Sequence, residues 1–327
     1  MRAAVITQPG GPEVLQVQEV EEPQPGPDEI LVDVKASALN RADLLQRGGR
    51  YPGPADVRAD IPGLEMAGVV AAVGGRVTGL TPGDRVFALL GGGGYAQRAV
   101  IHQAMAVSIP ERLDFQQAAS MPEVFFTAYD ALFNWCRLSM GERALIHAAG
   151  SGVGVAAIQL AREAGAVTFG TASSAEKLRR AAELGLDVGI NYRDEDFADV
   201  VRQKTGGRGV DVVLDVIGAP YWDRNIASMA LKGRMVLVGT MGGGQIETNV
   251  GALMPKRLSV FGTVLRMRSL GEKIVLTEQF RRHVLPLIES GKVRPVIDRV
   301  FPLEQAADAH RYMETNANFG KIVLAME

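Results

Sequence analysis

The stretch RALIHAAGSGVGVAAIQLAR, residues 143–162, decides the fold. A short apolar run, Ala144-Leu145-Ile146, leads into a small-residue turn, Ala149-Gly150-Ser151-Gly152-Val153-Gly154, and an Ala- and Leu-rich helix opens at Val155. Strand, glycine-rich turn and helix in that order build a phosphate site. The glycines let the backbone turn sharply and approach a pyrophosphate, whose charge is met by N–H groups at the helix N-terminus. The spacing is Ala149-x-x-Gly152-x-Gly154, so the first position of the usual G-x-G-x-x-G is not glycine. Taken alone, the pattern also fits a glycine-rich turn that holds no nucleotide, and the surrounding chain has to discriminate.

That chain alternates strand and helix from about residue 122. Apolar strands are predicted at 143–147, 167–171, 188–191, 210–215 and 235–239, with the clearest helices at 155–164 and 175–184. Five strands with intervening helices indicate a Rossmann-type, doubly wound parallel sheet in an α/β fold. A further strand is expected near 259–265 and a long helical segment at 271–290. Then come a strand, a helix at 303–314 and a strand at 321–325 that returns to the first domain. Residues 1–121 read differently. Short strands at 2–6, 15–20, 30–38, 69–73, 85–89 and 95–101 are punctuated by turns such as Pro9-Gly10-Gly11-Pro12 and Thr81-Pro82-Gly83-Asp84. This part is expected to be an all-β unit.

A length of 327 residues suits two domains with a large core. Net charge is −2 with both signs mixed along the chain, which gives no footprint for nucleic acid and no basic membrane-surface helix. The lone cysteine, Cys136, permits no disulfide framework. Residues 1–15 hold no apolar run of signal-peptide length and no segment could span a bilayer, so a cytoplasmic protein is expected.

The second Rossmann strand normally ends near an acidic residue that binds the ribose 2′-OH of NAD. Here it runs into Ala172-Ser173-Ser174-Ala175-Glu176-Lys177, with no carboxylate where the strand stops. Two hydroxyls and Lys177 suit a 2′-phosphate, and so NADPH. The other reading makes Lys177 a solvated residue of a first helical turn and Ser173 or Ser174 its N-cap. In the first domain the quartet Asn40-Arg41-Ala42-Asp43 follows a strand and, taken alone, reads as a cap with a surface salt bridge.

Gly141-Glu142-x-x-Leu145, the glycine turn and Gln159-x-x-Arg162 together resemble the quinone oxidoreductase signature of the medium-chain dehydrogenase/reductase superfamily, with Ser151 where that signature has glycine. The resemblance continues through residues 36–44, 63–74, 177–178, 191–192, 262–266 and 320–323. Arg47-x-x-Arg50-Tyr51, the serine in the turn, and Pro122-Glu123 ahead of Thr127-Ala128 are most similar to the tumour-suppressor-inducible branch of the family. The resemblance implies a GroES-like β-rich catalytic domain, residues 1–121 and 266–327, joined to an NADP-binding Rossmann domain, 122–265. It places the phosphate turn on Ser151, Gly152, Val153 and Gly154, and the 2′-phosphate ligands on Ser173, Lys177 and Tyr192. Neighbours of the nicotinamide fall on Asn40, Thr127, Val264, Leu265 and Arg266, and backbone around adenine and ribose on Ile217, Gly218, Val238 and Gly239. Tyr51 matches a residue at the mouth of the cleft, and Asn318 and Lys321 match the segment that closes over the cofactor.

Zinc catalysis needs converging cysteine, histidine or carboxylate ligands. The first cysteine ligand of the superfamily's zinc branch would fall near residues 38–40, where there is none, and its Gly-His-Glu is Gly63-Leu64-Glu65 here. With a single cysteine in the chain a four-cysteine zinc lobe is impossible, and His102, His147, His283 and His310 are scattered core or surface residues, so no metal is expected. The expectation is therefore an enzyme that reduces a small-molecule quinone with NADPH, metal-free, in a cleft between the domains. Asn40, Tyr51 and Thr127 are its candidate catalytic residues, Asn40 and Tyr51 as hydrogen-bond donors to the quinone oxygen. A zinc-free enoyl reductase and a non-enzymatic structural or RNA-binding relative are the alternatives. A homodimer is expected through the apolar, β-branched strand at 259–263.

Overall fold

Three sheets carry the described residues, 1–54 and 57–326, of the computed structural model. The chain opens with an antiparallel ribbon of β1 (Arg2–Ile6) and β2 (Leu15–Glu19). There follow β3 (Glu29–Ala38), α1 (Arg41–Arg47), β4 (Glu65–Val73), β5 (Arg85–Leu89), β6 (Arg98–His102), β7 (Val107–Ser108) and α2 (Phe115–Ala119). The two helices correct the all-β expectation. α1 forms because Asp43, at its third position, accepts a hydrogen bond from the Asn40 N–H at 2.7 Å, satisfying a donor at the helix start. α2 opens on a full capping box between Asp114 and Gln117.

Helix α3 (Pro122–Tyr129) continues into a π-helical turn, Asp130–Trp135. The alternating region then comprises β8 (Arg143–Ile146), α4 (Gly152–Glu163), β9 (Val167–Ala172), α5 (Ala175–Ala182), β10 (Val188–Asn191), α6 (Phe197–Lys204), β11 (Val210–Asp215), α7 (Trp222–Ser228), β12 (Met229–Leu237) and β13 (Ser259–Gly262). The six strands are all parallel, in the order β10-β9-β8-β11-β12-β13. That is the doubly wound 3-2-1-4-5-6 arrangement. Helices cover both faces, so every residue of the central β11 is buried. Leu145, Phe169, Val213, Met229 and Met235 belong to its core. The edge strand β13 is shorter than predicted and none of its four residues is fully buried.

The remainder of the chain supplies α8 (Leu270–His283), α9 (Leu285–Glu289), β14 (Ile297–Pro302), α10 (Ala306–Glu314) and β15 (Lys321–Ala325). The single helix predicted over 271–290 is two helices because Pro286, in the first turn of α9, cannot donate the N–H that a continuous helix needs. β15 lies between β14 and β3, parallel to the former and antiparallel to the latter, in a sheet of order β14-β15-β3-β4-β5-β7 with β6 on β3. The chain thus divides into two units, Met1–Phe126 with Leu265–Glu327 and Thr127–Val264. In the first unit Phe280 of α8 stacks on Phe126, centroids 4.4 Å apart, and meets the edge of Phe87.

Candidate active site

In the Thr127–Val264 unit the strand order reverses between β8 and β11, and the loops that follow those strands border the crevice where such sheets take ligands. α4 starts at Gly152, three residues earlier than predicted, with Ser151 as its N-cap: the Ser151 hydroxyl accepts from the Gly154 N–H at 3.0 Å. A side chain on Gly154 has no room, since its Cβ would lie 2.3 Å from the Ala148 carbonyl oxygen. The helix therefore rests directly on the turn after β8. Ser151 satisfies one orphan donor of the first turn, and the N–H groups of Gly152 and Val153 are left for an anion.

Ser173 follows the last residue of β9, and Tyr192 follows the last residue of β10; the two strands pair Ala172 with Asn191. Ser174, not Ser173, is the N-cap of α5, accepting from the Lys177 N–H at 3.3 Å. Ser173 and Lys177 are half-buried and Tyr192 is exposed; Ser173 and Tyr192 stand at the carboxyl ends of their strands, and Lys177 lies in the first turn of α5. The nearest carboxylate in sequence, Glu176, pairs with Arg179 at 2.8 Å. Beneath this edge His147 is wholly buried between Thr171 at 3.0 Å and Asn225 at 2.7 Å, and burial pushes its pKa down to about 4. The neutral ring donates from Nε2 to Asn225 Oδ1 and accepts at Nδ1 from the Thr171 hydroxyl. Asn225 in turn donates to Asp215 at 3.0 Å, and Asp215 accepts from the N–H groups of Ile217 and Gly218 at 2.7 and 3.2 Å. This network fixes the Ile217-Gly218 turn, where Gly218 has φ +85°. Val238 donates its N–H to the Asp215 carbonyl at 2.9 Å, which brings Val238 and Gly239 to the same edge.

The Met1–Phe126/Leu265–Glu327 unit holds a buried polar cluster. Lys321, 3% exposed, donates to the Leu39 carbonyl at 2.6 Å and to Asn40 Oδ1 and Glu65 Oε1 at 2.7 Å each. Asn40 Nδ2 donates to Glu65 at 2.8 Å and to the Ala38 carbonyl at 3.3 Å, so both amide hydrogens are committed. Asp43 is fully buried, against the surface salt bridge expected of its quartet. It accepts from the Asn40 and Gly63 N–H groups and from the Tyr95 hydroxyl at 3.0 Å, while burial pushes its pKa up to about 6. Tyr95 also meets His310 Nε2 at 3.3 Å, and Arg47 lies 3.1 Å from His310 Nδ1. A guanidinium can only donate, so Nδ1 accepts, Nε2 carries the hydrogen, and Tyr95 passes its own to Asp43. Burial first, and then Arg47, hold His310 neutral with its pKa lowered to about 3.

Arg266, 2% exposed, donates to the Gly91 and Tyr51 carbonyls at 2.8 and 3.1 Å and to Gln46 at 2.7 Å. It also lies 5.1 Å from the Tyr51 ring centroid. Its charge is thus spent on holding the Tyr51 loop. The Tyr51 hydroxyl is pushed up to about 12, by burial and then by Glu123, and stays protonated. Leu265 is buried, Val264 is 45% exposed, Thr127 is half-buried, and Asn318 donates to the Gly320 carbonyl at 2.9 Å. Sequence reasoning did not assign Asp43, Tyr95, His310, Arg47 or Glu123 to a site. Asn40-x-x-Asp43 carried a legible signal, but no local pattern links Tyr95 to His310, 215 positions on. Among the described residues no three His, Cys, Asp or Glu side chains converge as a metal site, and a Lys321 ammonium lies against Glu65.

Residues 26–111 match the alcohol dehydrogenase GroES-like domain, and residues 184–324 match the family described as zinc-binding dehydrogenase. The quinone oxidoreductase of Rattus norvegicus is 34% identical over 100% of this chain and 98% of its own. Among solved structures, an NAD-dependent alcohol dehydrogenase is 35% identical, with a TM-score of 0.90 and both chains fully covered. The Escherichia coli quinone oxidoreductase complexed with NADPH is 32% identical with a TM-score of 0.90, covering 99% of this chain and 100% of that one. The CurK enoyl reductase has a similar fold at 30% identity and a TM-score of 0.89, covering 100% of this chain and 99% of that one. With its Rossmann-type sheet, its GroES-like β-rich part and full-length likeness to quinone oxidoreductases, the chain belongs to the medium-chain dehydrogenase/reductase superfamily and is an oxidoreductase of that family.

Proposed function

We propose that this oxidoreductase transfers hydride from NADPH to quinones without a metal and acts as a homodimer. The observation that carries the cofactor reading is the carboxyl edge of the parallel sheet. The N-terminus of α4 is held open by Ser151 and by a Gly154 that tolerates no side chain, and it stands at the same edge as Ser173, Lys177 and Tyr192, with no carboxylate directly after β9. These residues fit a pyrophosphate and a 2′-phosphate.

NADPH, when bound, supplies the hydride, and the protein's work is to bind, orient and shape the site. A quinone needs no Lewis acid, because its reduced ring is aromatic and its charge delocalised. The chain lacks the cysteine and histidine ligands of zinc enzymes, and the Glu65 carboxylate is engaged by Lys321 and Asn40. With both amide hydrogens in use, Asn40 acts by positioning Glu65 and Lys321. Tyr51, protonated and fixed by Arg266, keeps the role of donor to the quinone oxygen. Thr127, on α3, is the proposed neighbour of the nicotinamide.

The test is NADPH and NADH oxidation against a panel of ortho- and para-quinones, with and without EDTA, beside an α,β-unsaturated thioester. Quinone turnover favouring NADPH and indifferent to EDTA is expected. A preference for the thioester would make the protein an enoyl reductase, and loss of activity on chelation would restore a metal.

A further inference from the structure

Glu123 lies in the first turn of α3, beside the cluster around Glu65, and its side chain has no task in quinone reduction as described so far. Its N–H is fixed, donating to Glu65 Oε2 at 2.8 Å, but its carboxyl makes no hydrogen bond with any described residue. The cations near it are already in use. Lys321 has three hydrogens and three acceptors, Leu39, Asn40 and Glu65, and Arg266 donates to Gly91, Tyr51 and Gln46. Two carboxyls therefore lie side by side with one ammonium bonded to one of them. Glu65 holds Lys321, Asn40 and the Glu123 N–H, whereas the Glu123 carboxyl has none of these partners and keeps a proton. The groups that face it are Glu65 from β4, Asp43 from α1, Lys321 from β15, Arg266, and the Tyr51 hydroxyl. Burial is the largest influence and Glu65 the next, and together they push the Glu123 carboxyl up to about 8. It is not sealed in: Glu123 is half-buried while Val124, Phe125 and Phe126 are buried, and the helical period puts it on the same face of α3 as half-buried Thr127.

We propose that Glu123, as the neutral carboxylic acid, delivers the proton that completes reduction of the substrate oxygen. The inference rests on the quinone reductase reading. Reduction of a quinone to a hydroquinone takes up one hydride, supplied by the cofactor, and one proton. The Glu123 O–H bond breaks as the new O–H bond forms on the quinone oxygen, and the carboxylate left behind regains its proton from water. An acid whose proton affinity lies close to the working pH is matched to this transfer.

Glu123→Gln keeps the size of the side chain and removes the transferable proton. With saturating NADPH, quinone turnover should fall on the order of a hundredfold, with NADPH affinity unchanged and with loss of both the alkaline limb near pH 8 and the solvent isotope effect. A second measurement needs neither cofactor nor turnover. Because the folded carboxyl binds its proton more tightly than the unfolded one, its contribution to stability is full below pH 4.5 and is lost as pH rises to about 8. Urea denaturation of the wild type against Glu123→Gln across that range should show this slope in the wild type only. Wild-type turnover and pH profile in the variant, or identical stability slopes in the two proteins, would overturn the proposal. A wild type that reduces no quinone counts against the functional reading alone, and the stability comparison still decides whether Glu123 holds a proton.

Discussion

At the scale of single residues, Lys177 and Gly154 make the cofactor reading falsifiable. A charge-assisted contact to phosphate is worth about 1.5–3 kcal/mol, so Lys177→Ala should raise the NADPH dissociation constant about tenfold or more and leave NADH binding nearly unchanged in calorimetry. Equal weakening of both cofactors would remove the 2′-phosphate assignment. For Gly154→Ala the added methyl meets a backbone carbonyl oxygen at 2.3 Å, with no flexible side chain to yield. Overpacking of this kind costs about 1–3 kcal/mol, and because α4 must lift from its turn, NADPH binding should weaken together with the melting temperature. His310 gives a pH signature. Its folded pKa, about 3, lies below the ordinary histidine value of 6.5, so its contribution to stability is full above pH 6.5 and is lost as pH falls toward 3. His310→Gln, whose amide oxygen can still accept from Arg47, should unfold more easily at neutral pH yet show a shallower acid limb in urea titrations.

At the scale of elements, the aromatic contact of α8 is the clearest mechanical joint. Phe280 is fully buried on Phe126 and Phe87, and truncating such a side chain costs about 3–5 kcal/mol; Phe280→Ala should lower the urea midpoint accordingly. What the sequence disclosed follows the strength of local patterning. β1, β5, β10, β11 and β15 fall where apolar runs predict them, because each run is bounded by turn residues. α1 was hidden by its brevity, seven residues between strands, although its capping residues were in view. The π-helical turn after α3 has no sequence period of its own, and the break before α9 turned on one proline inside a helical pattern. The carboxyl-edge residues were legible because strand ends and glycine turns fix them locally. The cluster of Asp43, Glu65, Tyr95, His310 and Lys321 was not, since strand pairing between distant segments assembles it.

At the scale of the whole molecule, the proposed dimer depends on β13. Among the described residues only β12 pairs with it, and its four residues are exposed or half-buried. Antiparallel pairing with a second copy would continue the sheet across a two-fold axis. Val260→Pro removes a ladder donor and should yield a folded monomer in light scattering; a folded variant that stays dimeric would place the interface elsewhere. The position of β15 has a consequence for biosynthesis. During translation the second unit, Thr127–Val264, is a continuous segment and can close on itself once it has left the ribosome. The first unit cannot, because β3 must wait for residues 321–325 to cover its flank, and Glu65 waits equally long for the Lys321 ammonium. Until residues 321–325 emerge, an apolar sheet flank and the Glu65 carboxylate lack their partners, so residues 1–126 complete their packing only after the segment made later, and in the interval they expose the kind of surface that chaperones cover.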